Sequence, residues 1–307
     1  MFGLIFKNVA VILVYMIIGY ILCLAKKATV EHTKSISGIL LYALSPAMII
    51  NSFLQLEYSK ENFICMVKYF FVTLIIQLLF FSILYALLHK KYDNAKYRIM
   101  TIGGVLGNVG FFGLPIISSI FPENPIVMCY SSINVMSMNL IVFTIGVFMI
   151  TNDKNYISLK GAVLNPTTLS IIVALPLYFF NVKFPETAMN SIVLLAKMVT
   201  PVSMFLLGIR LSAANMKEVF TRGFVYAACF LKLIVFPVIA FLCVHWLPFL
   251  DDTLKTTVIV LAAAPSGAVI QSLAELHECE QEFAANVVLL TTILSVITIP
   301  LMTNILI

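Results

Sequence analysis

Charge is scarce in this chain. Asp, Glu, Lys and Arg make up 11% of its 307 residues, where a soluble domain carries roughly 25%. Acids are almost missing from the long apolar runs, which excludes paired-carboxylate chemistry and an acid-lined cation site there. The four histidines, His32, His89, His245 and His277, form no helical ligand pair. Cys23, Cys65, Cys129, Cys229, Cys243 and Cys279 show no paired spacing, and most lie in apolar runs. They read as small hydrophobes, with neither a disulfide framework nor a metal site. No nucleophile, base and acid converge, so an enzyme is the least expected class and no catalytic residue or cofactor is assigned. The basic residues are scattered in short clusters without a basic face, which argues against nucleic-acid binding.

What is abundant is apolar surface. The chain is 61% hydrophobic, with a mean hydropathy of +1.05. Length is therefore divided into membrane spans of about 20 residues. Ten can be placed: 4–25, 36–55, 63–88, 98–121, 125–150, 161–180, 188–211, 219–247, 253–275 and 281–306. The first is longer than a signal-peptide core and is expected to stay as a span. With the N-terminus outside, the inner loops hold Lys26, Lys27, Lys34, Lys90, Lys91, Lys96, Arg98, Lys154, Lys160, Arg210, Lys217 and Arg222. The outer segments hold only Lys7, Lys60, Lys68, Lys183 and Lys255, so the count is 12 against 5. The positive-inside rule then places both termini outside the cell membrane.

One apolar run carries a break. Gly107-Asn108-Val109-Gly110-Phe111-Phe112-Gly113-Leu114-Pro115 interrupts the fourth span. Glycine costs roughly 1 kcal/mol and proline about 3 in a helix interior. Irregular backbone at membrane depth is tolerated only where it is buried in protein or lines a wet cavity. A second, similar break lies at Ala264-Pro265-Ser266-Gly267-Ala268 in the ninth span.

The two halves match. Ser45-Pro46 corresponds to Thr200-Pro201 at an offset of 155, Gln77 to Lys232 at 155, and Asn108 to Pro265 at 157. Five spans per half give the halves opposite orientation, an arrangement typical of secondary transporters. The expected fold is all-α and integral to the membrane, with ten helices in two inverted five-helix repeats, 1–150 and 161–307, and broken fourth and ninth helices.

Both break motifs resemble those of the auxin efflux carrier, or PIN-like, family, and the resemblance covers essentially the whole chain. It implies a fold shared with bile-acid symporters and sodium/proton antiporters, in which helices 4 and 9 cross near the bilayer midplane. Helices 1, 2, 6 and 7 would form a scaffold and homodimer face, and helices 3–5 and 8–10 a moving transport domain. The chain lacks the long central hydrophilic loop of many plant members and is similar to compact bacterial ones. Pro265 stands at the second break where the first has Asn108, which departs from a clamp of two asparagines.

Candidate residues follow from the breaks. Asn108 can cap a half-helix or present its amide to a solute, beside the crossover backbone of Gly107 and Gly110. Gly113 suits close packing; Pro115 and Pro265 shape the breaks. Ser266, Gly267 and Gln271 lie at or just past the second break. Asn139 and Asn286 are polar groups in apolar helices and are candidates for the cavity wall, although such groups also hydrogen-bond across helices. Lys232 is mid-span, too deep to snorkel, and a charge there faces a cavity or a partner. It can be a structural ammonium at the ends of the broken helices, where related folds hold sodium, or it can attract a carboxylate. Lys197 is nearer a membrane face and can snorkel. Positive half-helix ends together with Lys232 point to an anionic substrate. The expected activity is transport of small organic anions by alternating access, in the export direction. A sodium-coupled symporter of the bile-acid type and a non-transporting receptor are the competing classes.

Overall fold

A computed structural model of the chain describes residues 2–214 and 216–307, with the side chain of Met216 excluded. Every regular element among these residues is helical. In chain order they are α1 (Phe2–Leu24), α2 (His32–Leu54), α3 (Lys60–Leu88), α4 (Ala95–Val105), α5 (Val109–Ile120), α6 (Ile126–Thr151), α7 (Leu159–Leu164), α8 (Pro166–Phe179), α9 (Glu186–Ala213), α10 (Met216–Thr221), α11 (Gly223–His245), α12 (Asp252–Ala262), α13 (Ala268–Leu276) and α14 (Gln281–Leu306). Among the described residues eight helices are long and apolar enough to cross a membrane, one of them composed of α7 and α8 with the turn before them. Two further segments are each divided in two, α4 with α5 and α12 with α13.

The caps show why the helices begin where they do. Ser59, Asn94, Asn165 and Asp251 have extended backbone, and each side-chain oxygen accepts an amide hydrogen bond from the first turn of the helix it precedes. This satisfies donors that the helix itself cannot. Three of the four π-turns among the described residues are placed by proline, Val142–Gly146 being the other. Leu40–Leu44, Val109–Gly113 and Leu231–Val235 each end two residues before a proline, Pro46, Pro115 and Pro237. A proline ring clashes with the carbonyl four residues back and lacks an N–H for it. Widening the preceding turn relieves that clash.

α1, α2, α8 and α9 pack on one another, while α3, α6, α11 and α14 surround the divided segments, and α14 also packs along α1 to join the two groups. α1 and α9 approach so closely that glycine is required on both. A Cβ on Gly19 would lie 2.2 Å from the Phe205 carbonyl oxygen, and one on Gly208 would lie 2.0 Å from that of Met16. Small residues of this kind let membrane helices associate through backbone contact. Arg98 joins the other group internally: Nε donates to the Met149 carbonyl at 2.7 Å, and a guanidinium nitrogen donates to the Tyr92 carbonyl.

Candidate functional site

The two breaks meet. Leu106 is extended after the last turn of α4, and Asn108 has φ −82° and ψ 58° before α5. Asn108 N donates to the Pro265 carbonyl at 2.7 Å, and Gly267 N donates to the Leu106 carbonyl at 3.0 Å. Gly107 and Ser266 thus form an antiparallel bridge, an isolated piece of sheet pairing inside a helical protein. The bridge satisfies backbone groups that lipid could not. The Ser266 hydroxyl donates to the Gly103 carbonyl at 2.8 Å, and Ser266 N donates to Thr291 Oγ1 at 3.1 Å. A Cβ on Gly267 would stand 3.1 Å from the Gly107 oxygen, which accounts for glycine there.

Lys232 secures the crossing from the side. It is fully buried, and its Nζ donates to the Ala262 carbonyl at 3.2 Å. Ala262 is the last residue of α12, whose final carbonyls have no intrahelical donor and carry the negative end of the helix dipole. The ammonium also sits 4.4 Å from the centre of the Phe236 ring. A Cβ on Gly107 would lie 3.0 Å from Nζ, so the lysine occupies the space beside the first break. Next to it is a small cavity of about 20 Å³, lined by Thr73, Gln77, Asn134 and Lys232 among others. That volume holds about one water. Gln77 Nε2 donates to Asn134 Oδ1 and Ser137 Oγ, both at 3.2 Å, while Gln77 Oε1 is buried without a protein partner. Gln77 and Lys232, paired by the offset in sequence, therefore line the same space.

The Asn108 side chain behaves differently from the others at the crossing. It is 7% exposed and makes no capping hydrogen bond; the α5 turn is closed by its backbone carbonyl, which accepts from Phe112 N and Gly113 N. Gly113 packs against Leu261, whose Cδ2 would be 2.5 Å from a Cβ. Gly110 lies between Val135 and Met48.

Beyond the first break is a cavity of about 410 Å³ between α1, α2 and α9 on one side and α5 and α6 on the other. Pro115 lines it, with Leu114 and Ser118 from the same half-helix. Asn8, Asn51, Ser52 and Thr200 add polar groups, while Ile12, Tyr15, Met48 and Met128 add apolar wall. Lys197 is the one charged residue among the described residues of the lining. Thr200 ties this wall to the break: its hydroxyl donates at 3.2 Å to the carbonyl of Phe111, the group that Pro115 leaves without a helical donor.

The remaining candidates lie apart from this cavity. Asn139 Nδ2 donates to Asn165 Oδ1 at 3.2 Å, joining α6 to the start of α8. Gln271 Nε2 donates to Glu275 Oε1 at 2.8 Å on α13. Asn286 is buried with neither amide atom partnered. Reading the sequence missed Lys197, Asn8, Asn51 and Ser118 as cavity residues. The only available signal for Lys197 was a lone cation inside an apolar run, and snorkelling explained it equally well.

The chain is 26% identical over 310 residues to an uncharacterized transporter of Methanocaldococcus jannaschii, covering 95% of this chain and 96% of that protein. A family model described as membrane transport protein matches residues 4–303. This is a multi-pass membrane protein of a transporter family, not of an enzyme family, and the chain belongs to that membrane transport protein family, the auxin efflux carrier or PIN-like group.

Proposed function

We propose that the protein is a secondary transporter of small organic anions working by alternating access, with the cavity beside the first break as its substrate site. The observation that carries this reading is the charge of the lining: one cation, Lys197, no acid, and both amide and apolar wall. Such a surface attracts one carboxylate and accommodates an apolar body.

In this reading the chain forms ten spans in two inverted repeats, 1–150 and 161–307, each divided segment counting as one span. α1, α2, α8 and α9 form the scaffold and the homodimer face, and the helices around the crossing move against them. Both termini face outside the cell membrane, following the basic asymmetry of the loops. Lys232 fills the place of a coupling cation on the Ala262 carbonyl, so transport is independent of sodium. The membrane potential then favours export of an anion by about 2.3 kcal/mol per charge per 100 mV.

The test is a thermal-shift screen of mono- and dicarboxylates on purified protein, followed by flux in proteoliposomes. A stabilising carboxylate should lose affinity on Lys197→Gln, by about 1.5–3 kcal/mol for a charge-assisted contact. Flux that requires sodium would favour a coupled symporter. Binding without flux would favour a receptor.

A further inference from the structure

α9 meets both half-helices that leave the crossing, and the two meetings differ. Around Lys197, Thr200 and Pro201 it borders the open cavity with α5 opposite, and touches that half-helix through the Thr200 hydroxyl bond to the Phe111 carbonyl. Arg210 lies nine residues beyond Pro201, about 14 Å further along the helix. There the seam is bridged by side chains. Arg210 Nη2 lies 3.4 Å from Glu275 Oε2, and its two terminal nitrogens lie 3.4 and 3.5 Å from Ser272 Oγ. The Arg210 side chain is only 10% exposed, whereas that of Glu275 is 43% exposed. Gln271, one turn back on α13, donates to the other oxygen of Glu275 at 2.8 Å, and its own Oε1 is buried without a partner.

We propose that Arg210 with Ser272 is a second carboxylate-binding site, that Glu275 occupies it as an internal stand-in for an anion, and that this contact latches the seam shut at the end away from the cavity. A guanidinium presents several donors in a fixed fork that matches a carboxylate. This one is largely buried, while its partner carboxylate is reachable from solvent. An external carboxylate arriving from that side competes with Glu275 for the fork, releases α13 from α9 and opens the seam there. The latch thereby makes opening at this end depend on the presence of a carboxylate.

The site is testable without knowing the transported substrate. Val269, half-buried on α13 one turn deeper than Ser272, is replaced by cysteine in a background lacking the six native cysteines. Labelling by a membrane-impermeant maleimide then reports access from the latch end. Glu275→Gln should label several-fold faster than the parent at unchanged melting temperature. The exchanged pair Arg210→Glu with Glu275→Arg should return labelling toward the parent rate. Sodium acetate should speed labelling of the parent more than sodium chloride at equal ionic strength, and Glu275→Gln should lose that difference. Equal labelling of parent and Glu275→Gln overturns the latch. An acetate effect no larger than that of chloride overturns the carboxylate site. Neither result bears on the Lys197 cavity, whose test is substrate affinity.

Discussion

The two breaks face the same physical problem and solve it with different amounts of side chain. At the second break the polar groups of Ser266 are engaged: its amide with Thr291 and its hydroxyl with Gly103. Ser266 is completely buried. At the first break the backbone of Asn108 is held by Pro265, but its side-chain amide takes no part in the capping. The first break adjoins the 410 Å³ cavity through Pro115 and Thr200. Matching motifs in two repeats therefore do not imply two matching ligand contacts. One break engages its side chain in the fastening; the other leaves the Asn108 amide out of the capping, although Asn108 is buried and does not line the 410 Å³ cavity.

The largest effect expected on this contrast comes from Lys232, which supports the crossing without belonging to either break. Lys232→Gln removes the ammonium from the Ala262 carbonyl and leaves that oxygen at the buried end of α12 without its cation. A hydrogen bond to a charged group is worth about 1.5–3 kcal/mol, so thermal stability should fall by that order while carboxylate affinity is kept. A variant that melts normally and no longer binds would move Lys232 from the fastening to the substrate site. Sodium should not stabilise the parent, but it is expected to recover part of the lost stability in the variant, because the position beside the carbonyl is vacated.

Ser266→Ala tests the fastening directly. The Gly103 carbonyl loses its donor in a site closed to solvent, and an unsatisfied buried acceptor costs about 1–3 kcal/mol. The expected readout is a lower melting temperature with substrate affinity changed little. Ser266 and Gly267 stand among the residues that sequence alone nominates for substrate contact. A variant that keeps its stability but loses affinity would restore Ser266 to that role and make the two breaks equivalent.

The two breaks are legible in the sequence, whereas the contrast between them is not. The long apolar runs mark the spans because a helix in lipid must be apolar over its length, and proline with glycine marks both breaks because neither suits a helix interior. The meeting of the breaks was expected from the resemblance to a family and from the offset between halves. Other features depend on packing that local sequence does not encode. Lys197 sits in Leu194-Leu195-Ala196-Lys197-Met198, a context that also fits a snorkelling lysine, and only the placement of α1, α2 and α5 around α9 puts it on a cavity. Gly19 and Gly208 are isolated glycines in separate spans, and each is explained only by the other's helix. Arg210 and Glu275 are 65 residues apart and share no motif. Asn108 was legible as important, but whether its amide caps or stays available depends on the φ and ψ of one residue.

The smallest expected effect, and the sharpest for the comparison, is that of Asn108→Ala. Its side chain makes no capping bond, so its removal leaves the crossing intact: Asn108 N still donates to Pro265 and the Asn108 carbonyl still closes the first turn of α5. Asn108 is buried but its side chain makes no capping bond, so stability should fall less than for Ser266→Ala, by the packing of one side chain only. If the amide contacts the transported anion, one neutral hydrogen bond is lost, worth about 0.5–1.5 kcal/mol. Affinity should then fall between a few-fold and roughly tenfold. The result gains its meaning beside Ser266→Ala: one substitution lowers stability and spares binding, and the other does the reverse. If Asn108→Ala instead lowers the melting temperature and leaves affinity alone, the amide caps α5 in the membrane and the two breaks are both fastenings. The anion would then be held by Lys197 and the cavity wall alone.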